Sequence, residues 1–221
     1  MKVLVIAAHM DDEVLGVGGT IAKHVDAGDS VHVVCVANRV YAHTFDEQRN
    51  SAEEACALRA SQILGYEACE FLRLPDERLD SALQDIIVPL ENRVQEIEPE
   101  VVYLNHYGDV NQDHRAVFEA ALVCLRVTAA PFVRQVLCYE TPSSTEQAPP
   151  LPARAFLPNC FVDISRFLDR KLEAIACYET ERRAFPHPRS IEAVRLLAAR
   201  RGVQAGFEAG EAFAILRDRR L

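Results

Sequence analysis

The sequence has no excess of positive charge: its 33 acidic residues outnumber 24 basic ones, which gives a formal net charge of −9. Proteins that bind nucleic acid rely on basic patches that neutralise phosphates, so this balance argues against a nucleic-acid partner. Internal repeats and linker-like segments are also absent from the 221 residues, a length sufficient for one sizeable core. These absences predict a single domain that spans residues 1–221.

Paired cysteines and long apolar runs are missing as well. The seven cysteines are scattered along the chain without a CxxC pair, a pattern that favours a reducing compartment, and we expect a cytoplasmic protein. The apolar run at residues 3–6 is too short for a signal peptide or a membrane span. We therefore expect no integral membrane segment.

What the sequence does contain is an alternation of strand-like and helix-like segments. Helical periodicity separates five apolar runs that predict strands, at residues 3–6, 30–37, 68–74, 100–105 and 133–140. The first run shows no polar alternation, which is typical of a strand covered on both faces. Repeated strand–helix units predict an α/β fold with a mostly parallel sheet and right-handed crossovers. Residues 141–158, rich in Pro and Ser, predict a long loop before a further short strand.

Local signals predict several helix boundaries. Glycines precede a first helix that we expect from Thr20, and Thr44 opens a capping box for the second helix. Pro89 predicts a kink or break in the third helix. Ser165 is the expected cap of a later helix, and Gly202 marks the predicted end of the last one.

Polar side chains follow three of the predicted strands where each strand ends, within residues 9–13, 38–43 and 105–114. Ligands of parallel sheets bind at this edge. Carboxylates that crowd together repel one another, and a bound cation removes that cost. The first and third groups supply histidines and carboxylates, the donor set of a catalytic zinc site that keeps one position open.

The residues alone leave other interpretations open. Asp11 adjoins the candidate ligand Asp12 and is a candidate general base, but histidines and acids after a strand also occur at a solvated, capped helix start. His114 could be an early helix residue satisfied by backbone. The glycines at residues 16–19 suggest a dinucleotide site. Their spacing, however, is not G-x-G-x-x-G, and the preceding acids would repel a pyrophosphate.

The segment HMDDE at residues 9–13 resembles the H-P-D-D-E signature of the LmbE / PIG-L family of zinc-dependent N-deacetylases. The segment NQDH at residues 111–114 is similar to the second signature, H-P-D-H, and the form DVNQDH resembles one branch of that family. The resemblance covers nearly the whole chain. It implies a Rossmann-like three-layer fold in one LmbE/PIG-L-like domain.

By this resemblance, His9, Asp12 and His114 hold Zn²⁺, and Asp11 is the general base that deprotonates the attacking water. The same ligand set also accepts Fe²⁺ or Co²⁺. The usual substrates of the family are N-acetylglucosamine moieties of larger conjugates, so the implied partner is a small-molecule sugar conjugate. The resemblance also implies a homo-oligomer, either a trimer or a hexamer.

One departure from the family pattern concerns the oxyanion of the reaction. Asn111 stands where the second signature has its first histidine, which in the family helps to stabilise that oxyanion. An asparagine amide donates a hydrogen bond but carries no positive charge. We hypothesise that Asn111 acts as a neutral donor, or that His106 or His187 assists instead.

Several side chains are candidates for substrate binding. Arg49 is the first of them because it matches a family position, and Arg39 and Arg189 lie in or near predicted loops. These arginines could hold hydroxyls or a phosphate, although each could equally be a surface residue. Tyr41 and His43 are candidates for the sugar pocket.

We therefore predict a zinc-dependent enzyme that hydrolyses the N-acetyl group of an N-acetylglucosamine conjugate and releases acetate. The closest alternative is an amidase that acts on another N-acyl or thiol-conjugate amide. A metal- or nucleotide-binding module without catalysis is a second alternative, and a Rossmann oxidoreductase is a third. The intact Asp11 argues against the pure binding module, since binding needs no spare carboxylate beside the ligands.

Overall fold

Strands and helices alternate along most of the chain, as the apolar periodicity predicts. The computed structural model describes residues 1–220. In chain order the elements are β1 (Lys2–Ala7), α1 (Asp12–Asp26), β2 (Ser30–Ala37), β3 (Val40–Tyr41), β4 (Thr44–Phe45), α2 (Glu47–Leu64), β5 (Ala68–Leu74), α3 (Leu83–Ile97), β6 (Val101–Asn105), α4 (Gln112–Cys124), β7 (Gln135–Tyr139), β8 (Cys160–Asp163), α5 (Leu168–Ala176), α6 (Ile191–Ala205) and β9 (Gly210–Asp218).

Seven strands form one sheet in the order β5-β2-β1-β6-β7-β9-β8, and β3 and β4 form a separate hairpin. The first five strands are parallel, whereas β9 runs antiparallel to both of its neighbours. The predicted α/β fold with a mostly parallel sheet is confirmed. Strand β1 pairs with β2 on one side and with β6 on the other, so the strand order reverses there. Ligands bind beyond the carboxyl ends of the strands at such a reversal.

Helices cover both faces of the sheet, which gives the three predicted layers. Val3 and Val5 of β1 belong to the core that includes residues of α1, α2 and α5. Leu4 and Ile6 belong to the opposite core, which includes residues of α3 and α4. Because successive side chains of a strand point to opposite faces, both sets are buried, and the run contains no polar position.

The predicted start of the first helix is wrong, because α1 begins at Asp12 instead of Thr20. The glycines of this region therefore lie inside the helix. A side chain at Gly16 would collide with the ring of Tyr139, and a side chain at Gly19 would collide with Ile164. Close packing of the helix against its neighbours accounts for these glycines.

Two other boundary predictions are also wrong, and the break predicted at Pro89 as one alternative is absent. The carboxylate of Asp46 caps α2, and Thr44 lies in β4. Helix α3 continues unbroken through Pro89. Helix α5 begins without a side-chain cap, because Ser165 donates its hydroxyl to Asp163.

The C-terminal part of the chain differs most from the prediction. Helix α6 extends beyond Gly202 to Ala205, and Gly206 caps it with a left-handed conformation. Strand β9 has no predicted counterpart. Among residues 1–220 we find no helix with the length and apolar character needed to cross a membrane.

Candidate metal centre

Three predicted metal ligands meet at the carboxyl ends of β1 and β6. His9 follows β1, Asp12 opens α1, and His114 lies in the first turn of α4. The Nδ1 atom of His9 lies 3.3 Å from Nε2 of His114 and 3.8 Å from Oδ2 of Asp12. The same Oδ2 lies 3.4 Å from Nε2 of His114, and all three side chains are buried. The fold thus brings together residues that are about a hundred positions apart in the sequence.

This donor set fits a divalent transition metal. Two imidazole nitrogens and one carboxylate oxygen lie within 4.8 Å of one another, and such mixed N/O sets suit zinc, iron or cobalt. Burial lowers the pKa of His9, but nearby carboxylates, led by those of Asp113 and Asp76, outweigh burial and raise the pKa to about 10. Surroundings that favour an added proton also favour a metal cation.

Two carboxylates lie against the candidate ligand histidines. Asp76 Oδ1 lies 2.9 Å from Nε2 of His9, which leaves Nδ1 of that ring for the metal. In the same way, Asp109 Oδ2 lies 3.2 Å from Nδ1 of His114, and two hydroxyl groups of the loop after β7 donate to Asp109. Sequence reasoning missed Asp76. It follows β5 at the same sheet edge, so the strand-end argument could have found it.

The backbone of Asp11 is strained and held in place. Its φ is 105°, in the region that non-glycine residues rarely adopt, at a typical cost of about 1–3 kcal/mol. The backbone N–H of Asp11 donates to Oε2 of Glu13 over 3.1 Å, and the hydroxyl of Tyr178 donates to Oε1 of Glu13 over 2.6 Å. Glu13, the third carboxylate of the HMDDE segment, therefore supports the conformation of Asp11.

The buried carboxylate of Asp11 is paired with an arginine. Nη1 of Arg189 lies 2.9 Å from Asp11 Oδ2 and 2.8 Å from Glu181 Oε2, and Nη2 of Arg39 lies 2.8 Å from the other oxygen of Glu181. Burial raises the pKa of Asp11 to about 6, against the opposing effect of the two arginines. Oδ1 of Asp11 is buried and has no hydrogen-bond partner among the described residues, and an orphaned buried oxygen of this kind is a sign of a site that takes a water, an ion or a substrate.

Arg189 borders two cavities beside the ligands. The larger cavity has a volume of about 530 Å³, and its polar walls include His9, Arg39 and Asn111. The smaller cavity, about 10 Å³, lies against Asp11 and has room for about one water molecule. Two of the predicted substrate-binding arginines, Arg39 and Arg189, therefore reach the site.

The remaining substrate-binding candidates are arranged around one aromatic ring. The guanidinium carbons of Arg39 and Arg49 lie 5.7 Å and 5.5 Å from the ring centre of Tyr41. Arg49 is exposed, and neither it nor Tyr41 lines the 530 Å³ cavity. His43 does line this cavity, and its Nδ1 lies 2.7 Å from a carboxylate oxygen of Glu77.

The two histidines considered for the oxyanion do not line this cavity within the described chain. His106 is buried, and its Nε2 lies 3.0 Å from the backbone oxygen of Arg154. His187 accepts a hydrogen bond at Nδ1 from a backbone N–H of its own loop. Asn111 does line the cavity, and its Oδ1 caps α4 by accepting from the backbone N–H of Asp113 over 2.8 Å. Helix capping therefore accounts for an asparagine at this position.

Comparison with known protein families identifies the chain. The model of the family described as PIG-L, GlcNAc-PI de-N-acetylase, matches residues 4–125, more than half of the sequence. The chain belongs to the PIG-L family. Deacetylases of the PIG-L family are hydrolases that act on amide bonds, so the predicted family and the predicted enzyme class are both confirmed.

Named relatives of this PIG-L chain differ in their reactions. It is 32% identical over 147 residues to the uncharacterized deacetylase YaiS of Escherichia coli K12, which covers 64% of this chain and 75% of the relative. It is 28% identical over 229 residues to 4-oxalmesaconate hydratase of Pseudomonas putida KT2440, and the match covers 91% of this chain and 80% of the relative. The structure of N,N'-diacetylchitobiose deacetylase from Pyrococcus horikoshii matches with a TM-score of 0.76 at 22% identity. The match covers 98% of this chain and 84% of the chitobiose deacetylase chain, and it shows that the two share a fold.

Proposed function

We propose that this protein is a metal-dependent N-deacetylase that hydrolyses the acetyl amide of an N-acetylglucosamine conjugate and releases acetate. The observation that supports this best is the position of Asp11 beside three converging metal-ligating side chains. Amide hydrolysis requires a general base next to the attacked carbonyl. One oxygen of Asp11 is free for that role among the described residues, whereas a site that only binds metal needs no such carboxylate.

Each residue of the centre has a stated part in this reaction. His9, Asp12 and His114 hold the metal, for which Zn²⁺ is the first candidate and Fe²⁺ or Co²⁺ are the alternatives. When bound, the ion supplies a Lewis acid that polarises the amide carbonyl. Asp11 takes a proton from the attacking water at Oδ1 and passes it to the leaving amine. Asn111 donates a neutral hydrogen bond from its amide.

The larger cavity supports a sugar-sized substrate. Its volume of about 530 Å³ falls within the range of about 300–1,000 Å³ for small-molecule sites. Arg39 provides donors for substrate hydroxyls at the cavity wall. Tyr41 and Arg49, which contact each other outside the cavity lining, bind the part of the conjugate that extends beyond the sugar.

Acetate release from a panel of conjugates tests this proposal. The panel contains free N-acetylglucosamine, its disaccharide, and nucleotide-, lipid- and inositol-linked forms, each given to zinc-reconstituted protein. Asp11→Asn protein with unchanged metal content is the matched control. Release by the wild type alone supports the deacetylase and identifies the preferred conjugate.

Two other outcomes would contradict it. If the metal-loaded protein releases acetate from none of the conjugates, the result would favour an amidase for another acyl group or a binding module. Because one relative is named a hydratase, 4-oxalmesaconate is included as well, and its hydration would assign that reaction instead.

Full turnover in both His106→Ala and His187→Ala would eliminate these histidines as oxyanion candidates.

We also propose a cytoplasmic location and a homo-oligomer, a trimer or hexamer, of chains that each form one domain over residues 1–221. All seven cysteines are free, which supports a reducing compartment. Light scattering on the purified protein measures the mass of the particle. A monomeric mass at micromolar concentration would contradict the oligomer.

A further inference from the structure

Within the described chain, Arg189 is the cation that bonds directly to Asp11. Nη1 of Arg189 donates to both Asp11 and Glu181, and Nε donates to the hydroxyl of Ser143 over 2.6 Å. These bonds fix the guanidinium plane between two loops. Nη2 makes no hydrogen bond with a described residue, although only 18% of the side chain is exposed. A charged, fixed donor therefore borders the cavity.

The proposed reaction requires such a donor. Water adds to the amide carbonyl carbon, and the carbonyl π electrons move onto oxygen, which becomes an oxyanion. The oxyanion then re-forms the carbonyl as the C–N bond breaks, and the amine leaves with a proton. Preorganised donors aimed at the developing negative charge are among the largest contributions to catalysis. Asn111 offers only a neutral amide.

Among the described residues, the other cations that line the larger cavity bond to carboxylates other than Asp11. Arg39 is paired with Glu181, and His43 is paired with Glu77. Arg189 borders both the cavity beside His9 and the small cavity beside Asp11. A carbonyl held between the metal ligands and Asp11 lies within the region that this guanidinium borders.

We propose that Arg189 is a catalytic residue whose Nη2 donates to the developing oxyanion and supplies the positive charge that Asn111 lacks. This role rests on the amide hydrolysis proposed above. Arg189 keeps its protons throughout, because a guanidinium stays charged at any working pH. Asp11, Glu181 and Ser143 hold the donor in place before the substrate arrives, so no reorganisation is needed during the reaction.

Kinetics separate this role from simple substrate binding. An interaction made only in the transition state lowers kcat, whereas a contact to a substrate hydroxyl raises KM. Arg189→Gln should lose about 10²–10³ in kcat, as removal of one oxyanion donor does elsewhere, with KM nearly unchanged. Guanidinium chloride at millimolar concentration should partly restore turnover to Arg189→Ala. Arg189→Lys keeps the positive charge without the planar guanidinium group, so its kcat should fall less than that of the glutamine variant.

The matched control is Arg183→Gln. Arg183 belongs to the same loop, but its guanidinium donates to backbone oxygens of Thr180 and Arg182, and it approaches Glu181 only to 3.9 Å, which is too far for a hydrogen bond. Turnover in this variant should equal that of the wild type. Metal content and thermal unfolding are measured for every variant. Unchanged kcat in a folded, metal-loaded Arg189→Gln protein would overturn the proposal.

Acetate binding provides a readout that does not depend on turnover. Calorimetric titration of zinc-loaded protein with acetate measures the affinity for an anion in the reacting position. Loss of a charge-assisted hydrogen bond in Arg189→Gln should weaken acetate binding by about tenfold. Arg183→Gln should leave the acetate affinity unchanged. Equal affinities in Arg189→Gln and wild type would overturn the role of Arg189. A wild type that hydrolyses no amide, but binds acetate in an Arg189-dependent way, would refute the deacetylase and retain the anion donor.

Discussion

Lys171 and Glu211 form a buried ion pair that binds the backbone of one turn of α1. Nζ of Lys171 lies 2.6 Å from Oε1 of Glu211 and 2.8 Å from the backbone oxygen of Leu15. The carboxylate of Glu211 accepts from the backbone N–H groups of Gly19 and Thr20 over 2.9 Å and 2.7 Å. The pair thus fixes α1, which opens with the proposed metal ligand Asp12, to α5 and β9.

Glu211→Gln should destabilise the protein, because it leaves a buried lysine without its counter-charge. Breaking a buried pair by removing one partner typically costs about 3–5 kcal/mol in the free energy of unfolding. Denaturant unfolding of the two proteins measures the difference. The control is Asp169→Asn, which removes an ion pair whose aspartate side chain is 92% exposed, and it should leave stability unchanged. Equal effects of the two substitutions would show that the buried pair has no special role.

Asp11→Asn and Asp11→Ala should differ in stability but not in activity. Both remove the general base, and each should lose about 10²–10⁴ in turnover. Because φ at this position is 105°, alanine is strained there, whereas asparagine tolerates positive φ more readily. Thermal unfolding should therefore show a lower Tm for the alanine variant than for the asparagine variant. Two equal Tm values would argue against a strained backbone at Asp11.

Metal removal should lower the stability of the folded protein. A ligand that binds only the folded state at a hundredfold excess over its Kd adds about 2.7 kcal/mol to the free energy of unfolding. Unfolding after treatment with a chelator, and again after addition of zinc, measures this gain. His114→Ala should abolish the zinc-dependent shift. His32→Ala, a histidine of β2 outside the centre, should retain it, and loss of the shift in both variants would implicate a different site.

The lowered pKa of Glu181 predicts that the free energy of unfolding depends on pH. Burial raises its pKa, but the guanidinium groups of Arg39 and Arg189 outweigh burial, so the pKa in the folded protein lies below its usual value. A lowered folded pKa means that the stabilisation is present above the unfolded pKa of about 4.3 and is lost as the pH falls through the folded value. The stability difference between wild type and Glu181→Gln should therefore be largest near neutral pH and shrink in acid. A difference that does not vary with pH would contradict this coupling.

The sequence predicts the candidate ligands His9 and His114 better than the residues that surround them, for physical reasons. Apolar runs identify strands locally, and the carboxyl ends of parallel strands share one edge, so His9 and His114 can be placed together without a structure. Arg189 and Glu181 lie in a loop with no periodic signal. Arg189 contacts Asp11 only because segments 178 residues apart pack together in the fold, and Glu181 contacts Arg189 in turn.

The errors in the predicted fold also come from tertiary contacts that a local sequence pattern does not show. Glycine suits a loop and also suits a closely packed helix, and only the presence of Tyr139 against Gly16 decides between them. Strand β9 escapes prediction because Gly210, Ala212 and Ala214 are weak indicators of a strand. Their strand geometry is set by the pairing with β7 and β8.

The proposed ligands and base all precede residue 125, whereas the ion pair on α1, the arginine on Asp11 and the hydroxyls on Asp109 come from residues after 139. One stretch of chain thus contains the proposed ligands and base, and another holds them in place and supplies the proposed oxyanion donor. Substitutions in the later stretch offer a route to new substrates without rebuilding the ligand set. Directed evolution of specificity would therefore begin with the loop positions 146–158 and 182–188, which leave the hydroxyls on Asp109 and the Arg189–Glu181 pair unchanged.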